Sequence, residues 1–126
     1  MSNVLTEVRK KAMDASFESR RPFLQDAARL IGPVGIMLNV GCGEGYFDLK
    51  MAEVFKPQKL ILVDIQDLLQ VQLPSNAEFQ RVDVCSQEFL KRFQNRVTLV
   101  VCSQALHETV DIFKAVQNLF TVLPID

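Results

Sequence analysis

Ile36-Met37-Leu38-Asn39-Val40-Gly41-Cys42-Gly43-Glu44-Gly45 is the stretch that decides the fold. An apolar run ends in three glycines at alternate positions, and a helical pattern follows. A short apolar run closed by glycines predicts a buried strand that turns sharply into a helix. One glycine would serve an ordinary turn. Three leave the backbone bare, so that a ligand can approach it without meeting a Cβ. A second apolar run, Leu60-Ile61-Leu62-Val63, ends on Asp64, 23 residues after Gly41. An acid at the end of the second strand, about 20 residues past a glycine turn, is placed to accept hydrogen bonds from a ribose. The spacing here is G-x-G-x-G. The dinucleotide pattern G-x-G-x-x-G would need a glycine where Tyr46 stands, which argues against NAD.

The rest of the chain is consistent with one α/β domain. Its 126 residues allow a single domain, and 48% apolar residues allow a real core. We read residues 1–31 as N-terminal helices and 32–126 as the ligand-binding core. A helix over 3–18 places Val4, Leu5, Val8 and Ala12 on one face. Pro22 suits the first position of a second helix reaching Ile31, with Phe23, Leu24, Ala27 and Leu30 inward. Strands are expected over 35–40, 59–64, 78–83 and 97–102. Helices are expected over 45–55, after Ser86, and over 111–123, with a short helical piece over 66–71. Apolar strands alternating with helices imply a parallel sheet covered on both faces.

Composition excludes several classes. A net charge of −1 gives no general attraction to nucleic acid or anionic lipid. No apolar run approaches the ~18 residues of a membrane span, and no signal-peptide pattern opens the chain. Three cysteines without a CxxC, and a single histidine, read as reduced thiols in the cytoplasm rather than a disulfide framework or a metal site.

Four motifs carry a family resemblance. LNVGCGEGYF (38–47) resembles the first motif of the Rossmann-like, class I S-adenosylmethionine-dependent methyltransferases, and LILVDI (60–65) resembles their second. EFQRVDV (78–84) and LVVCSQALHE (99–108) resemble the third and fourth in order and spacing. The resemblance covers residues 20–124. It implies a three-layer sandwich with strand order 3-2-1-4 and S-adenosyl-L-methionine over the carboxyl ends of strands one and four.

The resemblance also implies roles, residue by residue. Gly41, Cys42, Gly43 and Gly45 would form the cofactor turn. Asn39 stands where the family usually has an aspartate; its amide could accept from the cofactor's amino group or from an ordered water, without charge assistance. Asp64 would take both ribose hydroxyls, Ile65 the adenine face and Asp83 the adenine amino group. Ser103, with Gln104, His107 and Glu108, would lie where the methyl group is presented. His107 is a candidate general base, against the plainer reading of a loop histidine. Arg9, Lys10, Lys11, Arg20 and Arg21 read as solvated helix faces. SFESRRPFL (16–24) faintly resembles the entry to RNA ribose methyltransferases, but Leu24 and Gln104 stand where those enzymes have a lysine and an aspartate.

One departure shapes the remaining expectations. The family continues into a fifth strand, a helix and an antiparallel pair, whereas this sequence stops at Asp126. Strand four would then be a bare edge, covered by a second copy in a homodimer or by a partner chain. The function expected is methyl transfer to an unidentified acceptor. The alternative is a non-catalytic S-adenosylmethionine-binding subunit acting through a partner.

Overall fold

A computed structural model describes residues 7–102 and 112–123. In chain order the elements are α1 (Glu7–Ile31), β1 (Ile36–Val40), α2 (Tyr46–Phe55), β2 (Lys59–Asp64), β3 (Ala77–Arg81), α3 (Gln87–Phe93), β4 (Leu99–Val101) and α4 (Ile112–Val122). The strands form one parallel sheet in the order β3-β2-β1-β4, as expected. Leu38 at the middle of β1 is in register with Ile61 on one side and Val100 on the other.

The sheet is buried on both faces, which is why β1 and β2 read as near-continuous apolar runs. Alternate residues serve opposite layers. Leu38, Val40, Ile61 and Val63 pack with Phe89, Phe93, Val97, Ala115 and Val122 on the α3–α4 side. Met37, Leu60 and Leu62 pack with Phe17, Met51 and Phe55 on the α1–α2 side. Helices above and below one sheet make the three-layer, Rossmann-like sandwich. No helix among the described residues is long and apolar enough to cross a membrane.

Local expectations fail in instructive places. The break at Pro22 is absent: α1 is one helix of 25 residues with Pro22 inside it. A mid-helix proline loses a hydrogen bond and crowds the preceding turn. Tertiary packing overrides that cost, because Phe17 before the proline and Leu24, Ala27 and Ala28 after it belong to one cluster. Phe17 is fully buried edge-on to Phe47, with ring centroids 5.3 Å apart. Leu24 and Ala27 face inward as read, whereas Phe23 and Leu30 are 73% and 89% exposed. Val8 and Ala12 are exposed as well.

Residues 66–71 are not helical. That segment is tied instead to the glycine turn, where the Gln70 N–H donates to the Glu44 carbonyl at 2.9 Å. The strand β4 is shorter than expected because the Val97 N–H turns toward α4 and donates to the Val122 carbonyl at 3.3 Å. Ser86 caps α3 as read, its Oγ accepting from the Phe89 N–H at 3.1 Å.

Candidate cofactor site

Strands β1 and β2 end side by side, with Val40 opposite Val63. The chain then doubles over the end of β2. The N–H groups of Gly41 and Cys42 both donate to the Val63 carbonyl, at 2.8 and 3.2 Å. Gly41, Gly43 and Gly45 all have left-handed φ, at 75°, 54° and 85°. The last two glycines have different duties. A Cβ on Gly45 would lie 2.8 Å from Leu69 Cδ2 and 3.0 Å from Val71 Cγ2, so Gly45 is fixed by packing. A Cβ on Gly43 would meet nothing within 4 Å. Gly43 therefore lines an open cradle that a side chain would fill.

Asp64 closes one side of that cradle. Its Oδ2 accepts from the Gly43 N–H at 2.9 Å, and its Oδ1 accepts from the Ile65 N–H at 2.7 Å. The Gln66 N–H also reaches Oδ1, at 3.4 Å; of a carboxylate's roughly four acceptor positions one therefore stays open, and a second opens for a diol when that long contact is given up. Beside it Ile65 is 57% exposed, an apolar surface at the mouth of the site.

Asn39 lies beneath the turn and is fully buried. Its Nδ2 donates to Asp48 Oδ1 at 2.8 Å, while its Oδ1 is buried with no hydrogen-bond partner among the described residues. A buried acceptor left unsatisfied is uncommon and costly. Asp48 is not among the candidates drawn from the sequence. A signal for it exists: it lies three residues before Met51 and seven before Phe55, an acid on the buried stripe of α2. Burial pushes its carboxyl up to about 6 against the lowering hydrogen bond from Asn39, and the charges of Asp64 and Glu44 add to the rise. Cys42 is also buried, and burial with the charges of Asp48 and Asp64 pushes its thiol up to about 12. It is a neutral space-filler in the turn rather than a nucleophile.

The N-terminal helix braces this region. Arg9 pairs with Glu44 of the turn at 2.8 Å. Asp14 accepts from the Tyr46 hydroxyl at 2.7 Å and pairs with Lys50 at 3.0 Å, contacts that hold its carboxyl below its ordinary value. Arg9, Lys11 and Arg20 are exposed, as read for the basic residues of α1, with Arg20 also lying over Phe47, while half-buried Arg21 lies over Phe17 and pairs with Glu18.

Asp83 lies in the turn after β3. Its Oδ1 accepts from the Cys85 N–H at 2.9 Å, and its carbonyl accepts from the Ser86 N–H at 3.0 Å. It shapes the entry to α3 with one carboxylate oxygen and leaves the other for further contacts. Ser103, Gln104, His107 and Glu108 lie outside the described residues. Among the described residues no group of three His, Cys, Asp or Glu side chains could hold a metal ion. An open groove of about 770 Å³, lined by Leu49, Lys56, Leu60 and Leu73, lies at the opposite end of β2 from Asp64. The glycine turn, not that groove, gathers the chemistry.

The turn thus brings together a bare backbone at Gly43, the Asp64 carboxylate and the exposed apolar side chain of Ile65. Comparison with known proteins leads the same way. Residues 38–125 match the methyltransferase domain family. No curated protein sequence matches the chain significantly. Among solved structures, a candidate type II methyltransferase from Anaeromyxobacter dehalogenans is similar at TM-score 0.65 and 21% identity, over 82% of this chain and 43% of that one. The YcgJ protein from Bacillus subtilis is similar at TM-score 0.61 and 22% identity, over 80% and 45%. A candidate S-adenosyl-L-methionine-dependent methyltransferase from Methanococcus maripaludis is similar at TM-score 0.63 and 16% identity, over 98% and 63%. The chain thus spans less than two thirds of the length of each of these structures.

Proposed function

The chain belongs to the methyltransferase domain family, and from that premise we propose that it binds S-adenosyl-L-methionine and transfers its methyl group to an acceptor. The observation that carries this reading is the cradle at Gly43, open where a Cβ would stand and flanked by the Asp64 carboxylate. S-adenosyl-L-methionine supplies an activated methyl group on a sulfonium. The chain's share is placement. Asp64 accepts from the ribose hydroxyls, Ile65 covers the adenine, and the bare backbone at Gly43 lets the ligand lie against the turn. Methyl transfer then depends on holding the acceptor in line and excluding water. A base is needed only where the acceptor must lose a proton before attack; His107 is the candidate for it, against the plainer reading of a loop histidine. Three cysteines without a CxxC support reduced thiols and, with them, the cytoplasm as the compartment.

Asp64→Ala tests the ribose assignment. Removing charge-assisted hydrogen bonds to a sugar costs about 1.5–3 kcal/mol, or roughly 10- to 100-fold in affinity for S-adenosylhomocysteine. Equal binding by the variant and the wild type in calorimetric titration would remove Asp64 from the site.

A second reading, in which the chain acts through another chain, is favoured by the two sheet edges. The β3 edge carries Glu78, Gln80 and Arg81, with Lys59 paired to Glu78 at 3.0 Å. The β4 edge carries Leu99, Val100 and Val101, with no charge. Soluble proteins guard their exposed edges, and among the described residues only the β3 edge carries charge. We propose that β4 is covered by a second copy across a two-fold axis, or by a partner chain. Sedimentation equilibrium at micromolar concentration should show self-association of the purified chain. A strict monomer whose β4 amides exchange slowly with solvent would contradict this expectation.

A further inference from the structure

We propose that Asp48 and the unpartnered Oδ1 of Asn39 form the subsite for the ligand's ammonium group, so that the buried carboxylate of this site stands on α2 rather than on β1. The inference rests on the reading of the site as one for S-adenosyl-L-methionine and adds a residue to it.

Three observations carry the proposal. First, Asp48 is only 8% exposed, and the hydrogen bonds it accepts among the described residues come from neutral donors, the amide of Asn39 and its own backbone N–H. A buried charge is ordinarily matched by an opposite one. Among the described residues the charged groups that act on Asp48 most are Asp64 at the end of β2 and Glu44 in the glycine turn, both of them acids that disfavour its carboxylate. Second, the same Asn39 amide that donates to Asp48 holds a buried acceptor with nothing to accept. The pair therefore presents a carboxylate and a carbonyl oxygen, and a protonated amine would satisfy both. Third, both residues adjoin the turn that contains Gly43. Asn39 is one residue from the end of β1, and Asp48 is in the first turn of α2.

The plainer reading is that Asp48 is a first-turn acid favoured by the helix dipole. Such an acid gains that benefit while solvated. Burial adds nothing to it, and the reading leaves Asn39 Oδ1 unexplained. Asn39 also excludes a second acid: an aspartate at 39 would set two carboxylates against each other.

An amine beside Asp48 favours its charged form, so binding lowers its pKa from the unliganded value of about 6. Affinity should therefore fall as pH drops below about 6 and be flat above it. Two probes separate this subsite from the rest of the site. S-adenosylhomocysteine carries the amino-acid end, and 5′-methylthioadenosine lacks it. Asp48→Asn should weaken S-adenosylhomocysteine about tenfold or more and abolish the pH dependence, while 5′-methylthioadenosine changes by less than about twofold. The exchanged variant Asn39→Asp/Asp48→Asn restores one carboxylate to the pair and should recover most of the lost affinity.

Unchanged S-adenosylhomocysteine affinity in Asp48→Asn, or equal losses for both probes, would overturn the proposal. If the wild type binds 5′-methylthioadenosine but gains nothing from the amino-acid end, this subsite alone fails. If it binds neither probe, the underlying reading of the site fails as well.

Discussion

Gly43→Val should remove measurable binding of S-adenosylhomocysteine, a loss of more than about a hundredfold, while the chain still folds. Apart from its chain neighbours, no described atom lies within 4 Å of the point where a Cβ on Gly43 would stand, so a valine there meets open space, where we place the ligand, rather than core. Its cost to folding is the left-handed φ of 54°, a strain on the order of 1–3 kcal/mol for a branched residue. Gly45→Ala is the counterpart. Its Cβ would press on Leu69 and Val71, so folding should suffer first. Titration calorimetry paired with thermal unfolding of both variants separates the two glycines. Collapse of Gly43→Val on heating, before binding is lost, would make that glycine structural.

Asp48→Asn should stabilise the unliganded chain by roughly 2–3 kcal/mol at pH 7. Burial raises the folded-state pKa of Asp48 to about 6, above its ordinary value of 3.8. Between those two values the folded chain binds more protons than the unfolded one, so the Asp48 contribution to stability falls as pH rises. Above about 6 the buried carboxylate is charged and the cost is complete. Below about 3.8 both states are protonated and the cost vanishes. An asparagine never bears that charge, and it can donate to Asn39 Oδ1. The stability gain should therefore be full at pH 7 and disappear by about pH 4. Chemical denaturation across that range checks it, and a variant less stable than the wild type at pH 7 would contradict it. Asp14, Glu18 and Glu78, whose carboxyls are held low by hydrogen bonds to Tyr46, Arg21 and Gln80, work in the opposite direction. Their contribution is lost as pH falls, but they are the same in both proteins and cancel in the difference.

The contrast between legible and illegible residues follows from range. Ile36–Val40 and Leu60–Val63 are readable because a strand buried on both faces must be apolar throughout. Gly43 and Asp64 are readable because a backbone turn and a strand-end acid are local patterns at a fixed separation, and the structure joins them by one hydrogen bond of 2.9 Å. The order of the strands is legible only through resemblance, since periodicity does not say which strands are neighbours. Pro22 misleads because local preference gives way to a cluster spanning both sides of it. Residues 66–71 mislead because their apolar side chains serve Gly45 rather than a helix. The sequence marks Asp48 as an acid on the buried stripe of α2, but not what it meets, because its partner is Asn39, nine residues away and on another element. In the sequence Asn39 stands out for the charge it lacks, and the structure places a carboxylate against its amide.

The most direct test is a calorimetric titration of the purified wild-type chain with S-adenosylhomocysteine and, separately, with NAD. The G-x-G-x-G spacing, the open cradle at Gly43 and the carboxylate of Asp64 predict saturable binding of S-adenosylhomocysteine at one site per chain and weaker or no binding of NAD. Tighter binding of NAD, or no heat of binding with S-adenosylhomocysteine at concentrations that saturate a millimolar site, would contradict the account.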